Sequence, residues 1–429
     1  MALAVLSPLV TAAAATTAAP HGEAVSATPR EAPPVLPSAV EVLSAGARAN
    51  LFLLTNPVDA VYHGGSPCMY IPPVGGRTYQ GHCIEMCDWP VGTYTVGLHE
   101  FYQAPGSHAV ANDTVTIGYL RAQAAFKCGD AQCGVKTHAP PFSVCATHPS
   151  PAAGVGSSSD TDPPPLHDAD NQICTSSYIE LYRMDGGKNA SYLADIVRVL
   201  DQEIEMTAKN STALSSYWHW ADALFMGMNP YSRLGNVTGD PKYHDQMFKM
   251  FGFAALPGGP YGFWNESAGM FYRDELHKRS HPDVFWSRCQ GWVMSALVSA
   301  IRFVPEAHPS HPVYLGIFKK MAASVAEAQA TDGSWRSSML NHTYPPDSSG
   351  SSFMVFALAY GINAGVLDRA KYLPHVQNGW GWLSTVALHP SGLFGWCQPT
   401  CRRQAFCVSA FLSSVAQVSQ LGAVSAGAV

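Results

Sequence analysis

The strongest constraint on the fold of this chain is a helix–turn–helix pattern that recurs through its second half. At four places one helical pattern ends, a short polar turn follows, and a new helical pattern begins near a tyrosine. These tyrosines are Tyr192, Tyr243, Tyr314 and Tyr372. The interval is roughly fifty to seventy residues, which is about one helix hairpin plus a loop. Tyr192–Met206 also carries a single apolar stripe, as an amphipathic helix does. Repeated helix hairpins predict a toroid or a solenoid.

One stretch, Tyr217 to Arg233, is apolar on nearly every side of a helix. Ser215 and Ser216 are expected to cap its start, and Asn229-Pro230 to interrupt it. A helix that is apolar all round is a buried one, yet Asp222 lies in its middle. Burial raises the pKa of a carboxylic acid and makes it a general acid near neutral pH. Asp222 is therefore a candidate catalytic acid, and the alternative is a structural Asp bonded to a neighbouring loop.

Composition excludes several classes of function. Hydrophobic residues make up 47% of the 429 residues, charged residues only 13%, and the formal net charge is -6 with no basic block. This balance argues against binding to nucleic acid or to an anionic membrane surface. After the leader, no segment approaches the roughly 18 consecutive apolar residues of a membrane span. If the substrate is acidic, one or two arginines at the binding site would have to neutralise its charge.

Three features predict a secreted protein. The first twenty residues are apolar and then Ala/Thr-rich, like a signal peptide without a basic start. Six glycosylation sequons occur, at Asn112, Asn189, Asn210, Asn236, Asn265 and Asn341. The eleven cysteines are clustered, with Cys68, Cys83, Cys87, Cys128, Cys133 and Cys145 in one region and Cys397, Cys401 and Cys407 in another. Disulfides in an oxidising compartment explain them best, and a metal site at His82, Cys83 and Cys87 is the alternative.

The cysteines outside the first cluster lead to separate predictions. Cys174 and Cys289 lie in helical patterns and are expected to be buried thiols. Cys397 and Cys401 lie in a turn between a helix at 372–388 and the last helix. A local Cys397–Cys401 disulfide is expected there, with Cys407 paired elsewhere or free.

Composition shifts divide the chain into four parts. Residues 1–48 are read as signal peptide and disordered leader, and 146–166 as a Pro/Ser/Gly linker. Residues 49–145 contain short runs rich in Val, Tyr, Thr and Phe, which predict strands in a Cys-rich region. From 167 to 421 the pattern is helical throughout.

Several motifs of this helical part resemble one family. WADALFMGMNPYSRLGNVTGDPKY, VFWSRCQGW, DGSWRSSML, DSSGSSFM and AYGINAGVLDRAKYLP look like glycoside hydrolase family 105, the unsaturated rhamnogalacturonyl hydrolases, and like the related unsaturated glucuronyl hydrolases. The resemblance runs from about Asp168 to Phe411. It implies an all-α six-hairpin (α/α) barrel with no metal or organic cofactor. The implied substrate is an oligosaccharide with a 4,5-unsaturated uronic acid at its non-reducing end.

The resemblance also implies the chemistry, which is hydration of the vinyl ether double bond of the unsaturated sugar. It places the acid that protonates C4 at Asp222 and a second acid at Asp170, with Asp168 as a neighbouring alternative. Asp170 could instead be only the N-cap of a helix at 171–184. The family usually has another acid directly after this position, where this chain has Asn171.

The substrate-binding residues implied by the resemblance lie mostly in loops between the helices. An arginine fork suits a uronate carboxylate and an indole suits a sugar face. Arg288 is followed by Cys289-Gln290, where the family more often has Gly-Asn. The residues expected to bind substrate are Trp286, Arg288, Trp218, Trp335, Arg336, His277 and Ser349.

One departure affects both the fold and the function. A six-hairpin barrel needs twelve helices, and about nine are recognisable after residue 168. Either the barrel is incomplete, or 50–165 contains helices that the strand-like composition hides. We therefore expect a secreted hydrolase of unsaturated uronides, and keep two alternatives: a non-catalytic carbohydrate-binding protein on the same barrel, and an ordinary inverting glycosidase.

Overall fold

The described part of the protein is built almost wholly of helices. The computed structural model describes residues 34–55, 89–111, 116–117, 120–121, 169–209, 218–398 and 405–421, all within one compact unit, Pro33–Val429. Within these ranges the only sheet is an antiparallel hairpin of β1 (Trp264–Asn265) and β2 (Met270–Phe271), with Trp264 opposite Phe271. The all-α prediction is confirmed.

Thirteen α-helices are assigned within the described ranges, and they test the predicted repeat of helix hairpins. They are α1 (Ala39–Thr55), α2 (Trp89–Gln103), α3 (Ala169–Gln172), α4 (Thr175–Met184), α5 (Ser191–Lys209), α6 (Asp222–Thr238), α7 (Pro241–Ala254), α8 (Glu275–Ser280), α9 (Ser287–Phe303), α10 (His311–Glu327), α11 (Ser348–Asn363), α12 (Arg369–Trp382) and α13 (Ala405–Leu421). The four recurring tyrosines all lie in the first turn of a helix, namely α5, α7, α10 and α12. The hairpin repeat predicted from the sequence is therefore confirmed.

Six helices, called the inner helices below, contact one another in a closed cycle. Helix α2 packs against α4, α4 against α6, α6 against α9, α9 against α11, α11 against α13, and α13 against α2. Five outer helices each pack against one inner helix: α5 against α4, α7 against α6, α10 against α9, α12 against α11, and α1 against α13. Helix α11 is buried on every side over nearly its whole length, as an inner helix must be. These contacts form an inner ring of six helices, five of which have an outer helix in the described residues, as expected of six helix hairpins.

Two predictions for the first part of the chain are wrong. Residues 39–48 belong to α1 and are not a disordered leader, and 89–103 is a helix and not a strand. The β-like composition of α2 reflects burial between neighbours, because tertiary packing overrides local propensity. A Cβ at Gly97 would lie 2.3 Å from the carbonyl oxygen of Ser409, and one at Gly92 would lie 2.5 Å from Ile173 Cγ2. Helix α2 fills the gap between α13 and α4, so the hidden-helix alternative holds.

Helix α6 begins later and ends later than the sequence predicts. The residues Trp218 to Ala221 precede it, Asp222 is its first residue, and it continues through Pro230 to Thr238. Proline removes one backbone donor from a helix. The side-chain amide of Asn229 adds one hydrogen bond nearby, 2.8 Å long, to the carbonyl of Phe225. The helix continues where the sequence predicted an interruption.

The helix predicted at 372–388 is α12 followed by a π-helical turn at Leu383–Ala387. The helix predicted at 171–184 is observed as α3 and α4. None of the described helices has the length and apolarity needed to cross a membrane.

The cysteine predictions have mixed outcomes. Cys174 and Cys289 are buried free thiols, as expected. Cys397 forms a disulfide with Cys407, at a Cα–Cα distance of 6.2 Å, so the prediction of a Cys397–Cys401 bridge is wrong. Cys407 lies in the first turn of α13, which brings its side chain back to the loop that carries Cys397. The six cysteines between 68 and 145, and Cys401 itself, lie outside the described residues.

Candidate active site

The candidate site lies where the inner helices α6, α9 and α11 begin. The segment after β2 joins the starts of two of them. The backbone N–H of Ala221 donates to the carbonyl of Arg273 at 2.7 Å. The side-chain amide of Gln290 accepts from the backbone N–H of Phe271 at 2.7 Å and donates to its carbonyl at 2.8 Å. Gln290 therefore fixes the β2 segment against α9, and this segment in turn borders the start of α6.

A buried carboxylate, Asp347, joins the starts of α9 and α11. It is fully buried and caps α11 by accepting from the backbone N–H groups of Ser349 and Gly350 at 3.0 and 3.1 Å. It also accepts from the Ser287 hydroxyl at 2.7 Å and from the backbone N–H of Gln398 at 3.0 Å. Such a carboxylate is held by charge-assisted hydrogen bonds from three separate segments. Asp347 thus fixes the relative position of two helix starts and one loop.

Asp222 is the first residue of α6 and is half-buried. It is not in the middle of a buried helix, as the sequence predicted, because the helix begins at this residue. Backbone N–H groups in the first turn of a helix stabilise a negative charge. Arg273 lies within electrostatic range. Partial burial lowers the pKa of Arg273, but Asp222 and Asp274 raise it by more, so the net shift is upward. The Asp222 carboxylate therefore has a cationic neighbour.

Cys289 borders the same group and is chemically inert there. Its thiol is buried and contacts the carbonyl of Phe271 at 3.7 Å. Burial first, and then the charge of Asp222, raise the pKa of Cys289 well above its usual value. A thiol in this state is neutral at physiological pH and is a poor nucleophile. The departure from the family pattern at Cys289 adds a packing group and no reactive one.

Trp286, Arg288 and His277 lie beside this group. The indole N–H of Trp286 donates to Nδ1 of His277 at 3.4 Å, and the His277 Nε2 lies 3.0 Å from the carbonyl of Val284. These two contacts assign the proton of the ring to Nε2. Arg288 is half-buried and donates to the carbonyl of Gln398 at 3.5 Å. The structure brings together these three residues that the sequence analysis expected to bind substrate.

Three other residues expected to bind substrate are in the core, so the prediction of direct contact is wrong for them. Trp218 is 1% exposed and packs on Gly227. Trp335 is fully buried and donates from its indole to the carbonyl of Val325 at 2.7 Å. The Ser349 hydroxyl is fully buried on Asp347. Each of these side chains is therefore used in packing or hydrogen bonding inside the protein.

The two remaining predicted residues are partly accessible. Arg336 forms an ion pair with Asp332 at 3.0 Å, and its backbone pairs with Pro346, just before Asp347. Asp170 is half-buried on the short helix α3, which packs against α6. Asp170 is thus within a helix and is not the N-cap of one. It stays a candidate second acid.

The sequence analysis assigned no role to four residues that the geometry identifies. Trp220, not Trp218, is the half-buried tryptophan next to the site, since its backbone pairs with Asp274. Arg273 and Gln290 owe their positions to the hairpin, which has no strong sequence signal. Asp347 did have one, because an Asp before Ser-Ser-Gly at the start of an apolar run is typical of an N-cap.

No group of three or more His, Cys, Asp and Glu side chains in the described ranges is arranged to hold a metal ion. The arrangement instead offers one half-exposed carboxylate at a helix start, flanking arginines and an accessible indole. Such a set can bind an anionic sugar and transfer protons to and from it.

Comparison with known proteins confirms the resemblance found in the motifs. Two curated relatives are unsaturated 3S-rhamnoglycuronyl hydrolases. The one from Formosa agariphila is 32% identical over 252 residues, which is 54% of this chain and 65% of the relative. The one from Alteromonas sp. is 36% identical over 187 residues, which is 42% of this chain and 44% of the relative. The chain therefore spans less than two thirds of the length of either relative.

Solved structures share the fold. A glycosyl hydrolase family 88 protein from Bacteroides vulgatus superposes with a TM-score of 0.65 at 20% identity, over 90% of this chain and 99% of its own. The sequence model of that family, Glycosyl Hydrolase Family 88, matches residues 79–415, which include α2, the hairpin and every helix start of the candidate site. The chain belongs to glycosyl hydrolase family 88.

Proposed function

We propose that this protein removes the 4,5-unsaturated uronic acid from the non-reducing end of oligosaccharides that a polysaccharide lyase has produced. The observation that carries the proposal is Asp222, a half-buried carboxylate at the start of an inner helix with Arg273 beside it. The names of the two curated relatives favour a rhamnose-containing substrate.

In the proposed reaction Asp222 donates a proton to C4 of the double bond, and water adds to C5. The Asp222 carboxylate left behind accepts a proton from this water, so the acid is regenerated in the same step. The product is a hemiketal, which opens and releases the leaving sugar with its oxygen. The helix start and Arg273 stabilise the transient carboxylate. Asp170, on α3, is proposed as the second acid of the site.

The remaining residues are proposed to bind the sugar. Arg288 is half-buried and can present a fork of donors to the uronate carboxylate. Trp286 offers an apolar face to the sugar ring, and its hydrogen bond to His277 limits its rotation. Gln290 is proposed to act indirectly, because it holds in place the β2 segment that carries Arg273.

The test follows the loss of ultraviolet absorbance of the conjugated double bond in lyase digests of rhamnose-containing, pectic and glycosaminoglycan polymers. We expect Asp222→Asn to lower kcat by roughly 10²- to 10⁴-fold with little change in substrate binding, because it removes the proton and little volume. Asp245→Asn is the matched control, since the Asp245 side chain is 70% exposed on the outer helix α7. Full activity of Asp222→Asn, or no decay with any digest, would refute the proposal.

Secretion is also proposed. Its support is the leader-like start, the Cys397–Cys407 disulfide and the position of the sequons. Asn189 and Asn341 are exposed, whereas Asn265 is half-buried and donates from its amide nitrogen to the Tyr272 hydroxyl at 2.8 Å. Glycopeptide mass spectrometry of protein exported by a eukaryotic host should find glycans at Asn189 and Asn341 and not at Asn265. Retention of the chain inside the cells would contradict this proposal.

A further inference from the structure

Trp396 combines two features that seldom occur together. Its φ is 59°, and among the residues that the structure describes no other non-glycine residue has a positive φ. A bulky residue in this region is strained, because its Cβ approaches its own backbone. The side chain is also 53% exposed. Strain of this kind persists where the surroundings enforce it, and it is concentrated at functional sites.

Four contacts hold the backbone of Trp396 in this conformation. The carbonyl of Trp396 accepts from the backbone N–H of Ser348 at 2.9 Å, and the preceding Gly395 donates to Ala387 at 2.8 Å. On the other side, Cys397 is bonded to Cys407 and the backbone N–H of Gln398 donates to Asp347. Packing does not explain the strain, since half of the indole contacts solvent. The restraints act on the backbone and leave an indole presented outward.

The same contacts place Trp396 at the candidate active site. Ser348 begins α11, and the Asp347 that caps it also binds Ser287, the first residue of α9. Arg288 follows Ser287 and donates to the carbonyl of Gln398, two residues after Trp396. The indole is therefore on the rim of the helix starts, beside the arginine proposed to bind the uronate.

We propose that Trp396 is the platform for the leaving sugar, the residue linked to C1 of the unsaturated uronyl unit. An exposed indole offers a flat apolar face to the C–H groups of a pyranose ring and keeps its N–H for a hydroxyl. Trp286 and Arg288 are proposed to bind the uronyl unit itself. The next sugar would then lie at the edge of the site near Gln398, where Trp396 is exposed. This inference rests on the proposed function, and it makes Trp396 a determinant of which oligosaccharides are accepted.

The experiment compares two substrates that share the unsaturated uronyl unit. One is a lyase-derived disaccharide, and the other is the methyl glycoside of the same uronic acid, which has no second ring. Trp396→Gly removes the indole and also tolerates the positive φ, so it relieves the strain. Trp396→Phe retains an aromatic face. Val386→Ala is the control, because Val386 is a half-exposed apolar residue on the preceding π-helical turn.

We expect Trp396→Gly to raise KM for the disaccharide by about tenfold, the loss of one aromatic contact, and to leave kcat/KM for the methyl glycoside unchanged. Trp396→Phe should give a KM for the disaccharide between those of the wild type and Trp396→Gly. Val386→Ala should match the wild type with both substrates. The melting temperature of Trp396→Gly should stay the same or rise. Equal effects on both substrates, or on neither, would overturn the inference. So would a lower melting temperature with unchanged discrimination, because that would assign the indole to folding.

A binding measurement separates this inference from the proposed function. If the wild type hydrates neither substrate, the proposed function fails. Calorimetry with a saturated uronyl-rhamnose disaccharide then tests Trp396 alone. About tenfold weaker binding by Trp396→Gly would support the platform. Equal binding by both proteins, or no binding by the wild type, would overturn it.

Discussion

Acidification is expected to destabilise this protein through one buried histidine, His99 on α2. The ring is 2% exposed; its Nε2 lies 3.0 Å from the hydroxyl of Ser177, and its Nδ1 has no hydrogen-bond partner. Burial lowers the pKa of His99 from 6.5 to about 4, with Glu180 opposing the shift and Arg233 adding to it. The neutral ring is therefore the form that the folded protein accommodates.

The size of the effect follows from linkage between protonation and folding. A folded-state pKa below the unfolded one means that the unfolded chain binds the proton more readily, so stability is present above pH 6.5 and is lost as pH falls towards 4. With these two values, going from pH 7 to pH 5 should lower the free energy of unfolding by about 2 kcal/mol. Most of this loss is complete before carboxylates begin to titrate.

Urea unfolding of the wild type and of His99→Gln at pH 7, 6 and 5 measures this contribution. Glutamine is neutral throughout and can still bond to Ser177. We expect the variant to be less stable at pH 7 and the difference between the two proteins to shrink by about 2 kcal/mol at pH 5. Other titrating groups are common to both proteins and cancel in this difference. If the two stability curves remain parallel from pH 7 to pH 5, the reasoning is wrong.

Three further predictions concern packing and covalent links. Gly227→Ala should cost about 1–3 kcal/mol of stability, since its Cβ would lie 2.3 Å from the ring of Trp218. Gly316→Ala, in a helix with open space around the residue, should add about 0.5–1 kcal/mol, and denaturant unfolding that ranks the pair in the opposite order would contradict both values. Peptide mapping of the unreduced protein should recover Cys397 linked to Cys407, and any other partner for Cys397 would refute that bridge.

The outer helices could be predicted from sequence and one inner helix could not. An outer helix has one face to water, so its apolar residues repeat with the helical period. Helix α2 is buried along both faces, and its Val, Thr and Tyr residues lose that period. Its identity depends on Gly92 and Gly97, which permit close approach to Ile173 and Ser409. These partners are remote in sequence, so no local pattern contains them.

The site shows the same division. Asp222 was identified because its helix carries a distinctive motif, and Arg288 because it follows Trp286 at the start of α9. Trp335 and Ser349 were misjudged because loop membership does not determine which way a side chain points. Trp335 turns inward to the carbonyl of Val325, and Ser349 is used by the cap of its own helix. The sequence indicated which loops matter and not which of their residues face the substrate.

A network of ion pairs lies at the end of the helix cycle opposite the candidate site, and it frees the loops at the other end to carry the site. Arg233 on α6 donates to Glu180 on α4 at 3.0 Å, and Arg302 on α9 donates to Glu100 on α2, 202 residues away, at 2.8 Å. The guanidinium groups of both arginines lie over the ring of Phe303. Burial opposes ionisation of Glu180, but Arg233 and its other charged neighbours outweigh it and lower the pKa of Glu180 to about 2. Glu180 therefore stays charged above that pH, and the ion pairs link four inner helices at that end. At the other end, loops surround the helix starts, and the hydrogen bonds of Asp347 and Gln290 hold these loops in place at the site.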